Sequence, residues 1–313
     1  MKPFSSEQKL ITMGNVTLGG QPGEYPTCMV GTMFYKSHSI IKDSKKGLFD
    51  KDEARTQLRS MEQMARKTGM QFIVDVVGNS AETLVKYCEF VADATENSKQ
   101  PFLMDGLSDE IRIPAMKILA EKGLQDRLIY NSIEPKISEE SIKRIKEFGV
   151  KNAVLLAFDS RMLLPKHKIK LIDGWGDKIG KKEGLIEKAK RAGVDNYILD
   201  VAVLDMPSIG IAGRTIEMVK EKNGLPCGCA PSNAIFECKG LKQFGKEGRT
   251  LSLAAACGYL ASSGADFILF GPVKYAKETF LSVANVDSFL AYTHRRIDKI
   301  KPKSEFHPLY KIF

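Results

Sequence analysis

The chain has 313 residues, of which 43% are hydrophobic and 27% charged, enough to bury a sizeable core and keep the surface wet. No run approaches the roughly 20 apolar residues that a bilayer span needs. Met1 to Gly14 lacks the apolar stretch of a signal peptide, so the reading is a cytoplasmic protein with no membrane span. The formal charge of +9 is compatible with an anionic ligand or an acidic partner. Lys and Arg are interleaved with Asp and Glu along the whole chain, however, and no nucleic-acid module is recognisable.

In chain order, the first predicted element is a β-hairpin. Alternation and Gly-Asn and Gly-Gly punctuation over Ile11 to Tyr25 place it in an N-terminal extension, residues 1–26, that plugs the bottom of a barrel. Short Val-, Ile- and Leu-rich runs then recur, as in parallel strands buried on both faces. They lie at Thr27 to Met33, Gln71 to Val77, Phe102 to Asp105, Arg127 to Tyr130, Ala153 to Phe158, Tyr197 to Val203, Leu225 to Gly228 and Asp266 to Phe270. Helices are predicted between them, at Asp50 to Lys67, Ser80 to Ala92, Ser108 to Lys122, Ser138 to Phe148, Gly184 to Ala192, Ser208 to Asn223 and Thr250 to Ser263, with a last one after Phe280. A Gly ends most of these helices just before the next strand, at Gly69, Gly123, Gly149, Gly193, Gly224 and Gly264. Eight such units predict one (β/α)8 TIM barrel domain over residues 1–313. The departure from the rhythm is Ser160 to Lys182, a long loop after strand five. It holds the only Trp, Trp175, and is read as a lid or partner-docking surface.

Active sites of such barrels sit at the C-terminal ends of the strands. Those positions carry Asp75, Asp105, Asn131, Ser132, Asp159, Asp200, Ser232 and Asn233, too many polar groups for packing alone to explain. Asp75 and Asp159 have a competing reading as caps of the adjoining loops, whereas Asp200 lies inside an apolar run, Ile198 to Val203. No GxSxG elbow or HExxH motif is present, and the four His residues are scattered. The cysteines Cys28, Cys88, Cys227, Cys229, Cys238 and Cys257 read as free, mostly buried thiols. Cys227, Cys229 and Cys238 leave a thiolate zinc site as the lesser alternative. A ring of Asp and Asn without nucleophile or metal suits a flat, hydrogen-bonding heterocycle.

Several segments bear a family resemblance: Gly19-Gly20-Gln21-Pro22-Gly23-Glu24-Tyr25-Pro26-Thr27, Gly31-Thr32-Met33-Phe34-Tyr35, Lys42-Asp43, Lys46 to Asp50, Tyr130-Asn131-Ser132-Ile133, Leu199 to Val203 and Phe270-Gly271-Pro272. Together they resemble the family of the H subunit of tetrahydromethanopterin S-methyltransferase, from about residue 7 to about residue 275. The resemblance implies a pterin-binding barrel, with Asp105, Asn131, Asp200 and Asn233 holding the pterin, and Asp75, Ser132 and Asp159 in supporting places. It implies methyl transfer between N5 of a tetrahydropterin and a corrinoid supplied by a partner protein, with Asn233 and Asp200 as the catalytic pair. It also implies a homodimer and no metal bound by this chain. Cys229 to Ala234 replaces a His-Asn pair of the archaeal subunit, and the Ser160 to Lys182 loop also differs. Those departures favour a free-standing bacterial-type enzyme acting on tetrahydrofolate. The alternatives are the archaeal subunit itself, a non-catalytic corrinoid-docking subunit, and a dihydropteroate synthase, the last disfavoured by the lack of a Ser-x-Lys/Arg element after strand seven.

Overall fold

Eight parallel strands hydrogen-bond into a closed ring, each beside its neighbours in sequence. They are β1 (Cys28–Met33), β2 (Phe72–Gly78), β3 (Phe102–Gly106), β4 (Leu128–Ile133), β5 (Asn152–Leu156), β6 (Asn196–Asp200), β7 (Cys227–Cys229) and β8 (Phe267–Pro272). The computed structural model describes residues 1–177 and 180–313. Helices α1 (Lys51–Thr68), α2 (Ala81–Ala94), α3 (Asp109–Glu121) and α4 (Glu139–Glu147) come after the first four strands. Next come α5 (Pro165–Asp173), α6 (Leu185–Arg191), α7 (Ser208–Asn223), α8 (Ser232–Glu237), α9 (Gly245–Ser262), α10 (Ala276–Ile297) and α11 (Pro308–Lys311).

Local chemistry sets the helix ends. Asp50 accepts from the Glu53 N–H at 3.1 Å, Ser138 accepts from the Ser141 N–H at 3.0 Å, and Ser80 forms a capping box with Thr83. The six glycines predicted to stop helices all have positive φ. At Gly224 a side chain would also collide with the Glu7 carbonyl, so the N-terminal strap passes against bare backbone there.

Period-two alternation divides the strands between two cores. One face, including Met29, Val74, Met104, Tyr130, Leu155, Leu199 and Phe270, packs against the helices. The other, Cys28, Val30, Ile73, Leu103, Ile129, Val154, Ile198, Phe267 and Leu269, fills the barrel interior. The hairpin Leu10–Met13/Val16–Gly19 closes the bottom of that interior with Met13, Val16 and Leu18, the plug predicted from its alternation.

The predicted boundaries shift in places. Strand β6 is shorter than its apolar stretch, because the chain turns at once beyond Asp200, with Ala202 at φ 52°, and β5 ends at Leu156, two residues before Phe158. Strand β7 is only three residues long, between Pro226 and Pro231. The last barrel helix, α10, begins at Ala276, four residues before Phe280, and the short α11 follows it. The Ser160 to Lys182 segment holds α5 and a small antiparallel pair, Trp175–Asp177 with Gly180–Lys182, while residues 178 and 179 lie outside the described residues. A second small pair, Ile41–Asp43 with Leu48–Phe49, was not predicted.

The bottom of the barrel is tied by buried polar contacts. Lys220, whose side chain is 1% exposed, donates to both Asp266 oxygens at 2.8 and 2.9 Å and to the Gly20 carbonyl at 3.1 Å. Asp287 accepts from the Thr27 N–H and hydroxyl at 2.7 and 2.9 Å. Gly20 is thereby tied to α7 and Thr27 to α10, and Gly23 lies against the Ala291 backbone of α10, all at the end of the barrel opposite the strand C-termini. Lys220→Met leaves Asp266 buried without its cation, and urea unfolding should show a loss of about 3–5 kcal/mol. Unchanged stability in this variant would show that Asp266 is carried neutral.

Candidate active site at the barrel mouth

The interior alternation continues upward by one step on each strand. Two residues above the apolar Val30, Ile73, Leu103, Ile129 and Ile198 stand Thr32, Asp75, Asp105, Asn131 and Asp200. Four of the sequence-predicted residues, Asp75, Asp105, Asn131 and Asp200, therefore share one inward-facing layer over a dry core. The register aligns Thr32 with Asp75 and Asp105 with Asn131.

Burial dominates the electrostatics of this layer. Asp75 is 3% exposed; its Oδ2 accepts from the Thr32 hydroxyl at 2.8 Å, and its Oδ1 is buried without a partner. Burial pushes its carboxyl up to about 6, against the pull of the Thr32 hydrogen bond. Asp105 is held well above the usual carboxylate range, first by burial and then by the nearby Asp75. Asp200, 7% exposed, accepts from the Ala202 N–H at 2.7 Å. Burial raises it to about 6, opposed by that hydrogen bond and by the Lys168 cation. Burial is thus the first cause of the upward shift at all three carboxyls. The unpartnered Asp75 oxygen is an unmet acceptor that a donor-bearing ligand would satisfy.

The remaining predicted residues sit elsewhere. Ser132 is the extra residue where the β4–β5 register shifts, and it lines an outer cleft between α3 and α4, its hydroxyl 3.5 Å from the Glu134 carboxylate. Asp159 lies beyond β5 and accepts from the Arg161 N–H at 2.9 Å, a bond that lowers its carboxyl. That is the loop-cap reading, and Asp159 stands outside the inward layer. Asn233 is exposed on α8, just above β7. Its helix is placed by Ser232, which packs so closely on Gly271 that a β-carbon there would approach the Ser232 side chain to 2.7 Å.

Sequence reasoning missed three contributors. Thr32 orients Asp75. Arg112, on α3, donates to the Asn131 carbonyl at 2.9 Å and to Asp109 at 2.8 Å, fixing the end of β4 from outside. Lys168, on α5, reaches the backbone beyond Asp200. For Thr32 the signal was available, since it stands two residues above Val30.

The cysteine alternative fares differently. Cys227 and Cys229 point into the strand–helix layer, and burial pushes both thiols far above their usual range. Among the described residues no group of three or more His, Cys, Asp or Glu side chains is placed to hold a metal ion.

Comparison with known proteins agrees with this barrel. Among solved structures, Yersinia pestis dihydropteroate synthase in a sulfonamide complex superposes with a TM-score of 0.60 at 14% identity, covering 90% of this chain and 98% of that one. Xanthomonas albilineans dihydropteroate synthase with 7,8-dihydropteroate gives 0.59 at 12% identity, covering 90% and 98%. At such identities the likeness shows the fold alone. Sequence relatives lie nearer. The H subunit of tetrahydromethanopterin S-methyltransferase from Methanothermobacter thermautotrophicus is 36% identical over 99% of both chains. Its counterpart from Methanosarcina acetivorans is 31% identical over 100% of both. The counterpart from Methanococcus vannielii is 34% identical over 99% of both. The family model described as tetrahydromethanopterin S-methyltransferase MtrH subunit matches residues 6–302, and the chain belongs to that family.

Proposed function

We propose that the mouth of this barrel binds the pyrimidine edge of a tetrahydropterin, and that the chain is a methyltransferase acting at N5 of that ring. The acceptor or donor on the other side is a corrinoid carried by a partner protein. The observation that carries the reading is the single inward layer of Asp75, Asp105, Asn131 and Asp200 above a dry core. A pterin edge presents ring N–H groups and an exocyclic amine as donors beside a carbonyl acceptor. Carboxylates meet the donors, and the Asn131 amide can meet either kind. The exposed Asn233 is free to donate to N5, stabilising charge as the methyl group moves. When bound, a corrinoid supplies the cobalt centre that exchanges the methyl group. This chain contributes orientation, exclusion of water and the hydrogen bond at N5.

The relatives named for tetrahydromethanopterin align over the whole chain. That support outweighs the strand-seven and loop departures, which had favoured tetrahydrofolate and a free-standing enzyme. Tetrahydromethanopterin, or a pterin of its type, is therefore the preferred substrate, and a role beside the corrinoid protein in a complex is preferred to solitary action. A cytoplasmic homodimer completes the reading, supported by exposed Leu281, Phe289 and Tyr292 along α10.

The test combines the purified chain with methylcobalamin and either tetrahydromethanopterin or tetrahydrofolate, followed by chromatography for the N5-methyl product. Methylation of tetrahydromethanopterin is the expected result. No product with either pterin sinks the enzyme reading, and a higher kcat/KM with tetrahydrofolate overturns the choice of pterin.

A further inference from the structure

Lys168 is a buried lysine, 4% exposed, on a helix that the barrel plan does not require. Its Nζ donates to the Val201 carbonyl and, at 2.9 Å, to the Ala202 carbonyl. The Val201 carbonyl belongs to the same peptide group as the Ala202 N–H, and that N–H donates to Asp200 Oδ1 at 2.7 Å. A cation therefore sits at one end of an amide and a carboxylate at the other. Drawing electron density toward the amide oxygen makes its N–H a stronger donor, so the two hydrogen bonds reinforce each other. Ala202 holds a left-handed φ of 52°, the backbone turn that places both contacts on consecutive residues. A cavity of about 160 Å³ lined by Lys168, Ala202 and Ser208 lies beside the contact, so hydrogen bonds more than packing hold the lysine head.

We propose that Lys168 is a positioning residue for Asp200, setting the charge and aim of that carboxylate through the peptide group joining Val201 to Ala202. Of the other titratable groups near Asp200, the thiols of Cys227 and Cys229 on β7 are kept neutral by burial, and the carboxyls of Asp75 and Asp105 share its inward layer. Lys168 is thus the one cation acting on this carboxylate among the described residues. The inference leans on the proposed pterin site only for its catalytic consequence.

The test follows the Asp200 carboxyl by carbon-13 NMR and the Ala202 amide proton by amide NMR in the full chain. In the unaltered protein that amide proton should move downfield as Asp200 ionises near pH 6, and back upfield when Lys168 loses its proton in alkali. An amide proton indifferent to both steps overturns the proposal without any variant. In Lys168→Gln, which keeps a donor but not the charge, the Asp200 midpoint should rise by about one pH unit, and Lys168→Arg should restore it. An unchanged midpoint in folded Lys168→Gln also overturns it. On the pterin reading, Lys168→Gln weakens tetrahydropterin binding about tenfold below the midpoint and little at higher pH. The NMR midpoints need no pterin, so failure to bind one counts against the proposed function and not against this inference.

Discussion

Asp200→Asn should make the ligand-free protein more stable at neutral pH by about 3 kcal/mol and abolish measurable pterin binding. The sign follows from burial. Asp200 titrates in the folded chain at about 6, above its ordinary value of 3.8. A carboxyl raised on folding contributes its full stability below the unfolded value, and that stability is lost as pH rises through the folded one. Wild-type stability should therefore fall relative to the Asn variant between about pH 4 and pH 6 and run parallel to it above that window. The amide keeps an oxygen for the Ala202 N–H, so the loop is expected to hold. A ligand N–H that needs a carboxylate finds a neutral amide instead, and binding fails. Urea unfolding at several pH values, with pterin titration on the same samples, checks both halves. Coincident stability curves from pH 4 to 7 would show that Asp200 is not carried as a costly buried carboxylate.

Asn233→Ala should do the opposite, leaving stability nearly untouched and lowering the rate of methyl transfer about 10²-fold. Asn233 is exposed on the short helix α8, and truncating an exposed side chain seldom costs more than about 0.5 kcal/mol. A contact made chiefly in the transition state lowers kcat and kcat/KM together, while substrate affinity changes little. Single-turnover rates with bound methyl-pterin separate these cases. Full activity in the variant would remove Asn233 from the chemistry, whatever the fate of the four inward residues.

The barrel was legible because its strands are continuous apolar runs and its helices end in glycine. The four inward polar residues were legible for a related reason: each interrupts an apolar run at or past the middle of a strand. Alternation alone would have gone further and separated Asp75, in phase with Ile73, from Ser132, which falls at a register shift. Asp159 was ambiguous because a strand-end carboxylate serves equally well as a loop cap, and in the fold it accepts from the Arg161 N–H. Arg112 and Lys168 were not legible. The contacts that tie them to the strand ends are with backbone carbonyls 19 to 34 residues away along the chain, and no residue type marks a carbonyl in advance. The same holds for α5, whose Lys-rich sequence has the composition of a solvated loop. The conspicuous glycine-rich segment at Gly19 to Gly23 proved to be a fastening of the barrel floor, far from the chemistry it helped to suggest.

The floor also determines how the molecule can be handled. The N-terminal strap runs along Gly224, where the Lys9 N–H donates to the Gly224 carbonyl. Near the other end, the Lys303 N–H donates to the Glu24 carbonyl and the Phe306 backbone lies against Gly69. Gly69 and Gly224 immediately precede the lower ends of β2 and β7, so both ends of the described chain approach the barrel from beneath. An affinity tag, a dye or a surface tether attached at either end would leave the rim pointing into solution. Immobilised protein should accordingly bind pterin as well as protein in solution does, whichever terminus is anchored.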